Sequence, residues 1–167
     1  VAAMATDSSS AVPPLFHGTH SGDRLLYRSL ADNIIDLGRN FTTHPGDALM
    51  FAFDMTKKYA GTQMVVIALP VWEPGSFRMI RQVCSLSESS ETQTGWYRLS
   101  PEQGGRVYAP DSREQRGAKI FREDDSAQTL ERFVNAYCTM ATGADPHYQR
   151  ILLEHYRSQL ALIRENR

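Results

Sequence analysis

Cysteine is nearly absent. The two present, Cys84 and Cys138, are too few for a disulfide framework and lack the clustered spacing of a zinc site. Both read as reduced thiols, at least partly buried. A basic excess is missing as well: the net charge is −1 and the isoelectric point is near 6.6. Nothing therefore signals the counterion exchange from which nucleic-acid binders draw affinity, and nucleic acid is disfavoured as a partner. No run approaches the roughly 20 apolar residues that cross a bilayer, so no membrane span is expected. Internal repeats are lacking. The chain opens on Val1 instead of Met, which reads as a trimmed or internal piece of a longer protein. An upstream targeting segment is thus left open.

What is present suits one globular domain. Hydrophobic residues make up 41% of 167 and charged residues 22%, enough apolar material for a single buried core. Residues 1–14, rich in Ala, Ser and Pro without apolar periodicity, read as a linker or frayed end. Residues 15–167 read as the domain, expected as a monomer.

Leu15 to about Thr19 reads as a short buried strand ended by the Ser21–Gly22 turn. A helix from about Asp23 follows, with Leu26, Leu30, Ile34 and Leu37 on one face and Gly38 as its stop. Arg39–Thr43 is a second strand, running into the His44–Pro45–Gly46 turn. Asp47 is then placed to cap a helix whose shared face is Ala48, Phe51, Ala52, Met55 and Tyr59, with Gly61 as the stop. Met64–Leu69, a continuous β-rich apolar run closed by Pro70, is the clearest strand.

Phe77–Val83, Trp96–Leu99, Arg106–Tyr108 and Ala118–Arg122 are shorter strand candidates, and Ser85–Thr94 is a polar loop. The tail is helical. Leu130, Phe133, Val134, Tyr137, Cys138 and Ala141 share one face; Tyr148, Ile151, Leu152, Tyr156, Leu160 and Ile163 share another. Gly143, Asp145 and Pro146 separate the two helices. The pattern is α+β with a C-terminal helical hairpin at about 126–166.

The chemistry-bearing residues sit in the first third. Phe16-His17-Gly18-Thr19 ends the first strand, and Gly38-Arg39-Asn40-Phe41-Thr42-Thr43 forms the second. The helix beginning Asp47-Ala48-Leu49-Met50-Phe51-Ala52 and the strand Met64–Leu69 come next. This ordered set, from about Leu15 to Leu69, resembles the NAD-binding half of ADP-ribosyltransferases. The branch is the His-Tyr-Glu one, shared by diphtheria-type toxins and poly(ADP-ribose) polymerases. The Arg-Ser-Glu branch fits worse, for no Ser-Thr-Ser or Glu-x-Glu is found.

The resemblance implies split, strongly bent antiparallel or mixed sheets with flanking helices. It also implies NAD as co-substrate, with no metal. His17 would hydrogen-bond the nicotinamide-side cofactor and orient its ribose hydroxyls. Gly18 would let the backbone approach the nicotinamide amide. Thr19, Thr42 and Thr43 are polar contacts on the same wall, and Phe41 and Phe51 would sandwich the positive pyridinium ring. The family more often has tyrosines there; phenylalanine keeps the stacking and removes two hydroxyls. A plainer reading stands beside each: a histidine at a strand end is commonly structural, and Phe41 and Phe51 suit a core. His20, His44, His147 and His155 show no metal-like pairing and are expected to face solvent.

Splitting the nicotinamide–ribose bond builds positive charge on the ribose, so a carboxylate is required near it. Three compete. Glu114 precedes the Ala118–Arg122 strand, Glu123 closes it on the face of Phe121, and Glu102 precedes Arg106–Tyr108. Glu123 also opens an acidic run that suits a helix N-terminus.

The activity implied is mono-ADP-ribosylation of a protein, as by a bacterial toxin or effector, secreted or injected, acting in the cytosol of a host or target cell. Ubiquitin or another host protein is an acceptor the resemblance permits. Rival readings are a non-catalytic module that binds NAD, ADP-ribose or a protein, and a transferase or tRNA-repair phosphotransferase directed at nucleic acid. The charge balance disfavours the last.

Overall fold

The computed structural model describes residues 14–23, 40–70, 77–81, 96–99, 119–123, 130–136 and 146–167. Residues 1–13 of the linker expected at 1–14, the body of the helix expected after Asp23, the Ser85–Thr94 loop and the Arg106–Tyr108 strand lie outside them, as do Gly143 and Asp145. The fold is α+β. Strands β1 (Leu15–His20), β2 (Asn40–Thr42), β3 (Met64–Leu69), β4 (Phe77–Arg81), β5 (Trp96–Leu99) and β6 (Lys119–Arg122) form one sheet in the order β4-β5-β2-β1-β3-β6. Every neighbouring pair is antiparallel. Six residue pairs register β1 on β3, from Leu15↔Leu69 to His20↔Met64. Only Phe16↔Thr42 registers β1 on β2.

β3 is buried along its whole length, which is why its sequence reads as an unbroken apolar run without alternation. β1 alternates by face. Phe16 and Gly18 turn toward helix α1 (Pro45–Lys58), while Leu15, His17 and Thr19 turn away. On the helix side Phe16, Val66, Ala68 and Phe121 meet Ala48, Leu49, Ala52 and Phe53 of α1. Leu130, Phe133 and Val134 of the helical stretch 130–136 join the same core. So do Leu152, Tyr156, Leu160 and Ile163 of helix α2 (Pro146–Glu165). The Phe133 ring stands edge-on to Phe16 at 5.9 Å and lies 5.0 Å from Phe121. Arg157 on α2 donates to Glu131 at 2.9 Å, tying the two helical stretches together.

Three details of α1 differ from the sequence reading. Its N-cap residue is His44, without a side-chain cap bond; Pro45 follows at the first helical position and Asp47 lies in the first turn, where its charge favours the helix dipole. The buried stripe also turns toward Leu49 and Phe53, leaving Phe51 at 49% exposure. Ala48 and Ala52 remain the line of closest approach, so either flank could have faced inward, and burial of Leu49 and Phe53 contributes about 2–3 kcal/mol each. Tyr59 falls outside the stripe because the helix ends at Lys58. Gly61, the expected stop, carries a φ of +80° in the turn beyond.

Helix and sheet meet hardest at Gly18. A Cβ there would stand 1.9 Å from the Ala48 carbonyl oxygen and 2.7 Å from the Ala52 nitrogen, both backbone atoms. Replacing Gly18 with alanine is therefore expected to destabilise the fold by about 3 kcal/mol, at the upper end of the usual overpacking range. A fall in the urea midpoint at unchanged slope is the check.

Candidate functional site on the face of strand β1 opposite helix α1

The antiparallel register that sets Phe16 against Thr42 brings the next residue, His17, opposite Phe41. Both project from the face that α1 does not cover. Their ring centroids are 5.2 Å apart at a 42° tilt. His17 is half-buried, and its Nδ1 lies 2.7 Å from the Asn40 carbonyl oxygen. A carbonyl can only accept, so Nδ1 carries the proton and donates; in a neutral ring the lone pair is then on Nε2. The fold thus orients the imidazole, sets its tautomer and places an aromatic ring beside it. An imidazole in that state can accept a hydrogen bond from a hydroxyl. The Phe41 ring is buried, at 1% exposure, so it serves as packing behind the imidazole, and the expectation that it walls a ligand slot is corrected.

Thr19 shares that face, is buried, and donates its hydroxyl to Asp23 Oδ2 at 2.7 Å. The other expected contacts scatter. Gly18 has its α-carbon against α1, so close helix packing explains the glycine without any ligand. Thr42 faces the helix side, where its Oγ1 accepts from the His44 N–H at 3.1 Å. Thr43 is buried just past the strand. Phe51 stands on α1, across the sheet from Phe41. The two phenylalanines therefore do not form facing walls of one slot in this arrangement.

Glu123 lies on the helix side too. Its backbone N–H donates to the Met64 oxygen at 3.1 Å, and its Oε2 accepts from the Met64 N–H at 3.1 Å. Its Oε1 pairs with the Arg167 guanidinium. Both carboxylate oxygens are engaged, and the strand backbone separates them from the His17 ring. A cavity of about 50 Å³ beside Glu123, among Leu49, Val66, Phe121 and Tyr156, has room for water and not for a dinucleotide. Glu114 and Glu102 lie outside the described residues.

The remaining histidines correct the expectation of solvent-facing roles. His20 is buried and stacks on Tyr59, centroids 4.3 Å apart and 9° from parallel, with Nδ1 accepting from the Gly22 N–H at 3.2 Å. His44 has no exposure at all. His155 is half-buried, its Nε2 3.0 Å from Asp47 Oδ1. His147 alone is exposed. Among the described residues no set of three His, Cys, Asp or Glu side chains could hold a metal ion, and no helix is long and apolar enough to cross a membrane.

Two residues matter here that the sequence reading passed over. Asn40 supplies through its main chain the acceptor that orients His17, a role no side-chain motif can announce. Asp23, placed by the sequence at a helix start that lies at the edge of the described residues, accepts the Thr19 hydroxyl through its carboxylate. No family model, curated protein or solved structure matches this chain.

The contacts of Glu123 generate a stability prediction. Glu123→Ala leaves the Met64 N–H without its side-chain acceptor and should destabilise by about 1–3 kcal/mol in chemical denaturation. Glu123→Gln keeps an acceptor oxygen and should recover a large part of that loss.

Proposed function

We propose that the chain is an NAD-dependent mono-ADP-ribosyltransferase that modifies a protein. The observation that carries this reading is the His17–Phe41 pair, an imidazole tied through Nδ1 to the Asn40 carbonyl and set against an aromatic ring. It arises within the ordered motif Phe16-His17-Gly18-Thr19, Asn40-Phe41-Thr42-Thr43 and Met64–Leu69. In this reading Nε2 of His17 accepts from a ribose hydroxyl, and the buried Phe41 ring braces the imidazole from the protein side. The bond between the ribose anomeric carbon and the nicotinamide nitrogen breaks, and its electron pair leaves with nicotinamide. The cationic ribose is then captured by a nucleophile of the acceptor protein, which gives up its proton to a carboxylate.

With Glu123 engaged on the other face, that carboxylate falls to Glu114 first and Glu102 second. The single registered pair between β1 and β2 supports placing the division of an ADP-ribosyltransferase-like split sheet there. A bacterial effector delivered to the cytosol of another cell, with a host protein such as ubiquitin as acceptor, is the biological setting this proposal carries.

The engagement of both Glu123 oxygens also favours a second reading, a module that binds NAD or ADP-ribose without turnover. Incubation with labelled NAD and a cell lysate separates the two. Transfer of label with release of nicotinamide is expected, and His17→Ala should lower that release on the order of 100-fold, as the loss of an orienting hydrogen bond does. Glu114→Ala should do at least as much, whereas Glu123→Ala should leave the rate of folded protein unchanged. Calorimetric binding of NAD with no nicotinamide released would establish the binding module, and neither binding nor release removes both readings.

A further inference from the structure

The junction of α1 and α2 holds ionisable groups that the proposed site does not use. His44 has no exposure, and among the described residues neither ring nitrogen has a hydrogen-bond partner. The Tyr156 hydroxyl of α2 is buried in the same unpartnered way. Between them the helices touch closely. A Cβ on Gly46 would stand 2.7 Å from His155 Cδ2 and 3.2 Å from the Tyr156 α-carbon, so α2 seals the first turn of α1. Asp47 of that turn bonds His155 of α2 at 3.0 Å.

We propose that His44 makes the seating of α2 on α1 sensitive to pH, so that protonation of its ring loosens α2 while the β1–β3 sheet stays folded. The physical argument is one of solvation. A charged imidazole without partners is costly inside a protein, and water reaches this ring when the helix that closes the turn lifts. Among the described residues, the ionisable groups acting on His44 are Asp47 in the first turn of α1 and His155 on α2. Asp47 favours the charged ring; His155 opposes it, and Asp47 already spends one carboxylate oxygen on His155. Burial is the largest effect and, with His155, outweighs Asp47, lowering the His44 pKa from 6.5 to about 4.

The sign follows from linkage. Above pH 6.5 the ring is neutral whether α2 is seated or lifted, and the seat is at full strength. As pH falls from 6.5 toward 4, only the lifted form takes up the proton, and the seat weakens. At pH 5 a ring with those two values shifts the opening equilibrium by about 30-fold.

Hydrogen exchange at pH 7.5 and 5.0, corrected for the intrinsic rate, tests this on the whole chain. Amides of Leu152–Leu160 should lose protection by about 30-fold, those of Met64–Leu69 should hold, and His44→Phe should abolish the loss. Equal loss in α2 and β3 would mean general unfolding and overturn the proposal. So would loss that persists in His44→Phe, or loss that only His155→Gln removes. Should His44→Phe fail to fold, the imidazole resonances of the unaltered protein decide. A His44 midpoint below 6.5 that tracks the loss of α2 protection supports the switch; titration near 6.5 with α2 still protected refutes it.

Discussion

The contact of α1 with β1 at Gly18 orders the rest of the molecule. With no side chain at that point, the helix backbone comes close enough for Ala48 and Ala52 to lie directly on the strand. One face of β1 is committed to that contact, and strict alternation along a strand then sends His17 to the other face. Shifting the strand by one residue would bury the imidazole under the helix and turn Phe16 outward. The register with β3, held over six residues, resists that shift. A position read as room for a ligand is thus first a position of room for a helix. The glycine still serves the site, since it secures the side on which His17 stands.

The same alternation divides the residues that the sequence motif gathers together. Along β2, Phe41 joins His17 while Thr42 turns back to hold the His44 N–H. Phe41 and Thr42 are contiguous in the chain and split in space. Motifs written as runs of letters conceal this, because neighbouring strand residues cannot share a face. The useful signal was the pairing of two strands, which brought His17 to Phe41 and made Asn40 its main-chain acceptor.

Legibility from sequence followed the strength of the periodic signal. Met64–Leu69 and Trp96–Leu99 were found to the residue, and the apolar faces of 130–134 and 152–163 proved to be buried. The inward face of α1 was misjudged, because apolar residues flank Ala48 and Ala52 on both sides. With Leu49 and Phe53 on one flank and Phe51 and Met55 on the other, only the sheet could choose between them. His20 and His44 were misread for a related reason. A histidine's polarity suggests solvent, yet stacking on Tyr59 or full burial at the start of α1 arises from tertiary packing that leaves no local mark. Glu123 was placed correctly on the face of Phe121, and that placement is what sets it apart from His17.

The tautomer of His17 constrains the chemistry further. Its Nδ1 proton is committed to the Asn40 carbonyl, so a neutral ring has its acceptor lone pair on Nε2. An acceptor can align a ribose hydroxyl, but it supplies no negative charge. Were the ring protonated instead, it would oppose the positive charge that builds on the sugar as nicotinamide departs. In the proposed reaction, offsetting that charge is therefore work for a separate carboxylate, and orientation and charge stabilisation fall to different parts of the chain. The strand pair that carries His17 and Phe41 would perform the first task. Residues between β5 and β6, where Glu102 and Glu114 lie in the sequence, are the source the proposed reaction requires for the second.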